Sequence, residues 1–225
     1  MKIKINLHLH TNDDAEDSIH YSFIDALRVA KMHGFGCLAL TCHNKFVDKE
    51  EYRKTAEMLG ILFIPGIERT IEKRHVVILN PDKDVNAVKT FEALRAYKNL
   101  HPEIFVLAVH PYFPGGYSLQ EKLEEHKDLF DAIEHSWFYS THINRNKKAT
   151  SMAKKLNLPL IATSDTHNLK FLKTNYAEIE VEEKTIPALF KAIRNNNFTN
   201  TTSPRKLFRE MTPYILHSFF TRRER

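Results

Sequence analysis

The chain has 225 residues and a formal net charge of +5, and this length is enough for one large domain with a buried core. Its two cysteines are too few for a secreted disulfide scaffold, and no signal peptide or apolar run of transmembrane length is present, so a cytoplasmic location is expected. Residues 204–225 carry six Lys/Arg and two Glu; the rest is nearly neutral, which leaves nucleic acid possible as a partner but does not indicate it.

Short apolar segments alternate with amphipathic ones. Strands are predicted at 1–7, 37–41, 61–64, 75–79, 104–109, 130–133 and 160–163, and helices at 22–34, 49–59, 85–100, 119–126, 144–156 and 185–195. This alternation indicates an α/β fold with a parallel sheet, and about seven strands favour closure into a barrel. We expect a barrel domain over residues 1–200 and a basic amphipathic tail over residues 201–225.

The first predicted strand ends in two histidines, His8 and His10. Residues two apart on a strand point to the same side, so the two imidazoles project together. Imidazole is the commonest metal ligand in proteins. Two ordinary surface histidines would give the same pattern, so the remaining strands decide between these readings.

Four further strands run into residues that can bind a metal. These residues are His43, Glu68, His110 and the pair Asp165/His167. In parallel α/β barrels the carboxyl ends of the strands share one rim, where the chemistry occurs. Scattered surface histidines would not recur at the same end of successive strands, so the sequence predicts a metal site at this rim.

The motifs carrying these residues resemble those of the PHP (polymerase and histidinol phosphatase) family, in the family's order over residues 3–195. They are His8-Leu-His10-Thr11, Leu40-Thr-Cys-His-Asn44, Pro65-Gly-Ile-Glu68, Arg74-His75-Val76, Val109-His-Pro111 and Thr163-Ser-Asp-Thr-His167. The resemblance implies a distorted (β/α)7 TIM-like barrel, two or three divalent ions and hydrolysis of phosphoesters by a metal-activated water. Zn, Mn or Fe would suit such nitrogen and oxygen ligands.

Carried over by motif, the resemblance implies three ion sites. One would use His8, His10, Glu68 and Asp165; Glu68 would bridge to a second held by His75 and His110; a third would use His43, His167 and Asp17. Glu68, Asp165 and His167 would be the residues most directly involved in catalysis.

The chain departs from the family pattern at two positions. Cys42 stands where the family usually has Asp, and either a small core residue or a ligand would fit there. The loop after His10 has an unusual spacing. Asp17 is our candidate for the third ion, whereas Asp13 and Asp14 compete with it or are solvated.

The leading hypothesis is a metal-dependent phosphoesterase acting on a small phosphomonoester or a short nucleotide. Arg69 and Arg145 are candidate substrate-binding residues, because guanidinium matches the geometry of phosphate. One alternative is an amidohydrolase-type C–N hydrolase, which also has HxH on a barrel strand but usually bridges its metals through a modified lysine. Another is a non-catalytic, metal-binding regulatory module. The oligomeric state is left open.

Overall fold

A computed structural model describes residues 1–205, and the predicted α/β barrel architecture is confirmed. Within this range the strands are β1 (Lys2–Asn6), β2 (Phe35–Leu40), β3 (Leu62–Ile71), β4 (Arg74–Leu79), β5 (Phe105–Ala108), β6 (Ala132–His135), β7 (Leu160–Ala162), β8 (Asn175–Glu180) and β9 (Phe198–Thr202). The helices are α1 (Phe23–Met32), α2 (Glu50–Leu59), α3 (Phe91–Leu100), α4 (Lys122–Glu125), α5 (Asn146–Leu156) and α6 (Ile186–Arg194). The predicted tail falls largely on residues 206–225, outside the described part.

All nine strands form one sheet, in the order β7-β6-β5-β4-β3-β2-β1-β8-β9. The side chain of Asn200 on β9 links the two edges: it accepts from the backbone N–H of Ala162 at 2.8 Å and donates to the carbonyl of Leu160 at 2.8 Å. The sheet is therefore nearly closed into a barrel.

The sheet is less regular than the predicted all-parallel arrangement. Its β1–β2, β2–β3, β5–β6 and β6–β7 pairs are parallel, whereas β4 and β8 run antiparallel to both of their neighbours. A tight turn at Glu72 and Lys73, both with positive φ (47° and 67°), joins β3 to β4. A two-residue turn with positive φ at both positions matches the twist of antiparallel strands. The start of β4, which carries His75, thereby lies beside the end of β3.

The barrel interior is apolar at one end and polar at the other. Ile64 belongs to a core cluster with residues from β1 to β8. Every second side chain of a strand lies on the same face, so Glu68, four positions after Ile64 on β3, shares that face. Ala132 and Glu134 are related in the same way on β6. Two other core clusters lie under the helices. The fold thus places carboxylates directly above the apolar interior.

Within residues 1–205, every helix is too short or too polar to cross a bilayer.

Candidate metal centre

Two backbone bridges, Leu9 with Thr166 and His43 with Glu68, bring the predicted motifs together at the polar end of the barrel. The amide of His10 donates to the carbonyl of Thr166 at 3.1 Å, and the amide of Thr166 donates to the carbonyl of His8 at 3.2 Å. The amide of Asn44 donates to the carbonyl of Glu68 at 2.9 Å. The HxH segment therefore lies beside Asp165 and His167, and His43 lies beside Glu68.

Glu68 is the centre of the cluster. Its Oε2 lies 3.1 Å from His8 Nε2, 3.2 Å from His10 Nε2 and 3.0 Å from His43 Nε2. Its Oε1 lies 2.8 Å from His75 Nδ1 and 2.9 Å from His110 Nε2. The two oxygens of one buried carboxylate thus face two different groups of imidazoles, an arrangement that suits a bridging ligand.

Asp165 and His167 also contact the HxH pair. Asp165 Oδ1 lies 3.4 Å from His8 Nε2 and 3.3 Å from His10 Nε2. The ring of His167 stacks on that of His10, with centroids 4.3 Å apart, and its Nε2 lies 2.9 Å from Asp17 Oδ2. The structure therefore brings all nine predicted metal-binding residues into one connected cluster.

The atoms of this cluster fit divalent ions. Three sets of donors have all their atoms within 4.8 Å of one another: His8, His10, Glu68 and Asp165; His43, Glu68 and His75; and His10, His43 and His167. Among the described residues, buried His75 Nε2 has no hydrogen-bond partner, and buried His10 Nε2 and Asp165 Oδ1 lie 3.3 Å apart without hydrogen-bond geometry. A buried polar atom without a partner is costly, and a metal ion would satisfy such atoms.

The charges in the cluster are strongly coupled. Burial alone would raise the pKa of Glu68, but the surrounding imidazoles, His75 first, hold it well below its usual range. Burial would lower the pKa of His10, yet the nearby carboxylates, Asp14 foremost, raise it to about 9. For His75 burial prevails, and its pKa is lowered. Protons and metal ions would therefore compete for the imidazole nitrogens of this cluster.

Two candidate ligands have unusual backbones. His110 has a φ of 29° and Asp165 a φ of 41°. Positive φ is uncommon for residues other than glycine, and such strained conformations concentrate at functional sites. His110 lies two residues after β5, and Asp165 lies three residues after β7.

The loop after His10 differs from the expectation that Asp13 and Asp14 are solvated. Asp14 Oδ2 lies 2.8 Å from His10 Nδ1 and 3.0 Å from His43 Nδ1, and its side chain is fully buried. Its Oδ1 accepts from the amides of Glu16 and Asp17, which folds the loop over the rim. Asp13 instead bonds Lys49 and Tyr52. Asp14 therefore belongs to the site, and Asp17 reaches it as well.

Glu134 is a second site residue that the sequence did not single out. Its Oε1 lies 3.0 Å from His8 Nδ1, its Oε2 accepts from the amide of His110 at 2.5 Å, and it is completely buried. The signal was present as a carboxylate inside an apolar strand, since a buried charge needs a partner.

Three other predicted residues lie outside the metal-binding set. Arg69 is only 7% exposed and donates to Val88 and Asn44; neighbouring strand residues point to opposite faces, so it turns away from the face that carries Glu68. Arg145 is exposed just before α5, in the wall of two adjoining cavities. Cys42 is buried among apolar side chains, and burial raises the pKa of its thiol to about 11, as befits a core residue.

Comparison with known proteins gives the following matches. Residues 144–198 match the family model PHP_C, described as PHP-associated. No curated protein matches the chain. A two-domain protein from Bacteroides vulgatus containing a predicted PHP-like metal-dependent phosphoesterase superposes with a TM-score of 0.67 at 20% identity, over 90% of this chain and 65% of that one.

Two further structures are similar over most of the chain. PsfC from Pseudomonas syringae gives a TM-score of 0.66 at 16% identity, over 99% of this chain and 98% of its own. The lesion-specific endonuclease PfuEndoQ from Pyrococcus furiosus gives 0.65 at 17% identity, over 89% of this chain and 57% of its own. The chain spans less than two thirds of the Bacteroides protein and of the endonuclease. The fold is that of PHP-like proteins, and the predicted resemblance to the PHP family is confirmed.

Proposed function

We propose that this protein is a metal-dependent phosphoesterase that hydrolyses a small phosphomonoester or a short nucleotide. The observation that carries the proposal is Glu68, a buried carboxylate whose two oxygens face separate groups of imidazoles. A single bridging carboxylate between clustered nitrogen ligands is suited to two ions a few Å apart. The PHP-like fold and the match over residues 144–198 support the same reaction class.

The proposed ligands are the nine residues of the cluster, with Asp17 on the third ion beside His43 and His167. Divalent ions held there would neutralise phosphate oxygens and lower the pKa of water. In the overall reaction water adds to phosphorus, the ester P–O bond breaks, and the leaving alcohol oxygen takes up a proton.

The chain's own residues hold and orient the reacting groups. Glu68 and Asp165 provide the buried negative charge that concentrates cations at the rim. His167, whose side chain is partly exposed beside Asp17, lies where a substrate would enter. The apolar interior below Glu68 excludes water from the far side of the cluster, which strengthens the electrostatic interactions there.

The first test replaces Glu68 with Gln, which keeps the size of the side chain but removes the shared anionic oxygens. We expect Glu68→Gln to lower bound metal and to reduce phosphate release by at least about a hundredfold, roughly 2.7 kcal/mol. Metal content would be measured by mass spectrometry, and phosphate release over a panel of sugar phosphates, nucleotides and amino-acid phosphates.

Glu57→Gln is the matched control, because it makes the same change on an exposed position of α2. Metal-loaded wild-type protein that releases phosphate from no member of the panel would contradict the proposed reaction. Full metal content and activity in Glu68→Gln would contradict the assignment of Glu68.

A further inference from the structure

We infer that Asn44 is a positioning residue, which holds the acidic loop (residues 13–17) on the rim and thereby sets the affinity for the third ion. The inference rests on the proposed function, which assigns that ion to His43, His167 and Asp17. Asn44 directly follows His43 in the chain. Its side chain contacts the acidic loop on one side and strand β3 on the other.

The side-chain amide of Asn44 uses all four of its hydrogen-bonding positions. Its Oδ1 accepts from a guanidinium N–H of Arg69 at 2.8 Å and from the backbone N–H of Thr70 at 2.9 Å. Its Nδ2 donates to the hydroxyl of Thr70 at 2.8 Å and to the carboxylate of Glu16 at 2.5 Å. A reversed amide would set donor against donor at Arg69 and an oxygen against the carboxylate of Glu16, so this network fixes the orientation.

The backbone of Asn44 has a conformation that asparagine tolerates. Its φ is 50°, in the left-handed region that asparagine enters more readily than most residues other than glycine. In this conformation its amide donates to the carbonyl of Glu68 at 2.9 Å. Glycine would keep the conformation but would lose all four hydrogen bonds of the side chain. The position therefore requires both the backbone and the amide of asparagine.

Glu16 connects Asn44 to the two carboxylates of the loop that reach the site. The amides of Glu16 and Asp17 both donate to Asp14 Oδ1, at 2.8 and 3.1 Å. The other oxygen of Asp14 lies 3.0 Å from His43 Nδ1. Asp17 Oδ2 lies 2.9 Å from His167 Nε2. A fixed Glu16 side chain thus holds both neighbouring carboxylates where the third ion needs them.

Arg69 supports Asn44 from the side of β3. It is buried, and its Nε donates to the carbonyl of Val88 at 2.6 Å. Burial lowers the pKa of Arg69, and the negative charge of Glu16 opposes that shift. A buried guanidinium requires such partners. The hydrogen bonds from Val88 through Arg69 and Asn44 to Glu16 therefore attach the loop to the barrel.

The test exchanges donor and acceptor between Asn44 and Glu16. Asn44→Asp sets a carboxylate against the carboxylate of Glu16, and we expect it to weaken the third ion at least about tenfold, a loss typical of one charge-assisted hydrogen bond. The variant adds a negative charge near the site, so a purely electrostatic effect would strengthen cation binding instead.

The double variant Asn44→Asp/Glu16→Gln has the net charge of the wild type, and its glutamine amide can donate to the new carboxylate. Affinity should return to within about threefold of the wild-type value. A Mn²⁺ titration followed by electron paramagnetic resonance measures the stoichiometry and the affinity of each ion.

A second readout requires no metal. In metal-free protein the amides of Glu16 and Asp17 should exchange with deuterium at least about tenfold faster in Asn44→Asp and in Asn44→Gly, and should return towards the wild-type rate in the double variant. Asn44→Gly keeps the positive φ, so it isolates the loss of the side chain should the aspartate variant fold poorly. Asn196→Asp and Asn196→Gly are the matched controls, because Asn196 is exposed and has a φ of 56°.

Wild-type ion affinity and amide exchange in both Asn44 variants would overturn the inference and leave the phosphoesterase proposal intact. Failure of Glu16→Gln to restore the Asn44→Asp protein, or a wild type that binds only two ions, would overturn it as well. Absence of phosphate release from any substrate contradicts the proposed function instead, and amide exchange in the metal-free protein then still tests the role of Asn44.

Discussion

Two buried carboxylates stand behind the histidines of the HxH segment. Glu134 lies against Nδ1 of His8, and Asp14 lies against Nδ1 of His10. A carboxylate at Nδ1 keeps a proton on that nitrogen, so Nε2, which faces Glu68 and Asp165, is the nitrogen that can bind an ion once its own proton has left. The orientation of the ligands thus depends on residues that need not touch an ion.

The role of Glu134 can be tested directly. We expect Glu134→Gln to weaken metal binding about 10- to 100-fold, because the amide no longer provides the charge that fixes the His8 ring. Competition with a chelator measures the affinity. Glu121→Gln changes an exposed side chain and serves as the control; an equal loss in both variants would argue against an orienting role.

The acidic loop gives a second test at this scale. We expect Asp17→Ala to weaken one bound ion by about tenfold or more, or 1.4 kcal/mol, because it removes the carboxylate nearest His167. Asp13→Ala should leave metal stoichiometry unchanged, since Asp13 bonds Lys49 and Tyr52. A Mn²⁺ titration of both variants decides the matter: if Asp13→Ala loses the ion and Asp17→Ala keeps it, the assignment of this loop is wrong.

At the scale of elements, periodicity predicted most strands but not their directions. The segment Asn175–Glu180 alternates buried and partly exposed residues, so β8 could have been found. By contrast, β9 reads Phe-Thr-Asn-Thr-Thr and buries no side chain fully. It pairs because β8 presents a free edge and Asn200 reaches across to β7.

Local patterns also could not show which histidine each orienting carboxylate contacts. Glu134 and His8 are 126 positions apart, and nothing near either residue records the pairing. Seven of the nine ligand candidates could be predicted because they lie at or just past the end of a predicted strand, and the rim gathers strand ends. His75, at the start of β4, and Asp17, in the loop after His10, were assigned only through the family resemblance. The division of these ligands among ions depends on distances that only the folded chain supplies: His43, for example, lies close to both His75 and His167.

Arg205, three residues after β9, contacts the metal centre through the side chain of Trp137. Arg205 is buried, and its guanidinium lies 4.9 Å from the Trp137 ring centre and 4.1 Å from that of Phe171. The indole N–H of Trp137 donates to Asp165 Oδ2 at 3.3 Å. Arg205 therefore helps to hold the indole that orients a candidate ligand.

We expect Arg205→Ala to lower phosphate release about tenfold through weaker metal retention. Trp137→Phe, which removes the indole N–H together with part of the ring system, should do the same. Removal of residues 206–225, which keeps Arg205, is the comparison and should have a smaller effect. Metal content after dialysis, together with kcat, would be measured for all three. Intact metal retention in both point variants would show that this contact is structural alone.

At the scale of the whole molecule, the site brings together residues from the beginning and the end of the barrel domain. Ligand candidates range from His8 to His167, and a backbone bridge between Leu9 and Thr166 joins the two segments that carry the first and the last of them. β1, which precedes Leu9, also pairs antiparallel with β8, which follows Thr166 in the chain. An ion bound beside this bridge would hold together segments that are far apart in the chain, so metal binding and folding should be coupled.

This coupling predicts that metal removal lowers the melting temperature, and by an amount that depends on pH. A ligand at a hundred times its Kd stabilises the folded state by about 2.7 kcal/mol. Only neutral imidazole binds a metal, whereas the carboxylates raise the pKa of His10 to about 9 and that of His8 as well. Those protons must leave when an ion binds, so affinity rises with pH. The difference in Tm between Mn²⁺-loaded and chelator-treated protein, measured by calorimetry, should therefore grow from about pH 6 to about pH 8. The Glu68→Gln variant should show little difference at either pH, and a wild-type difference that shrinks as pH rises would contradict the proposed ligands.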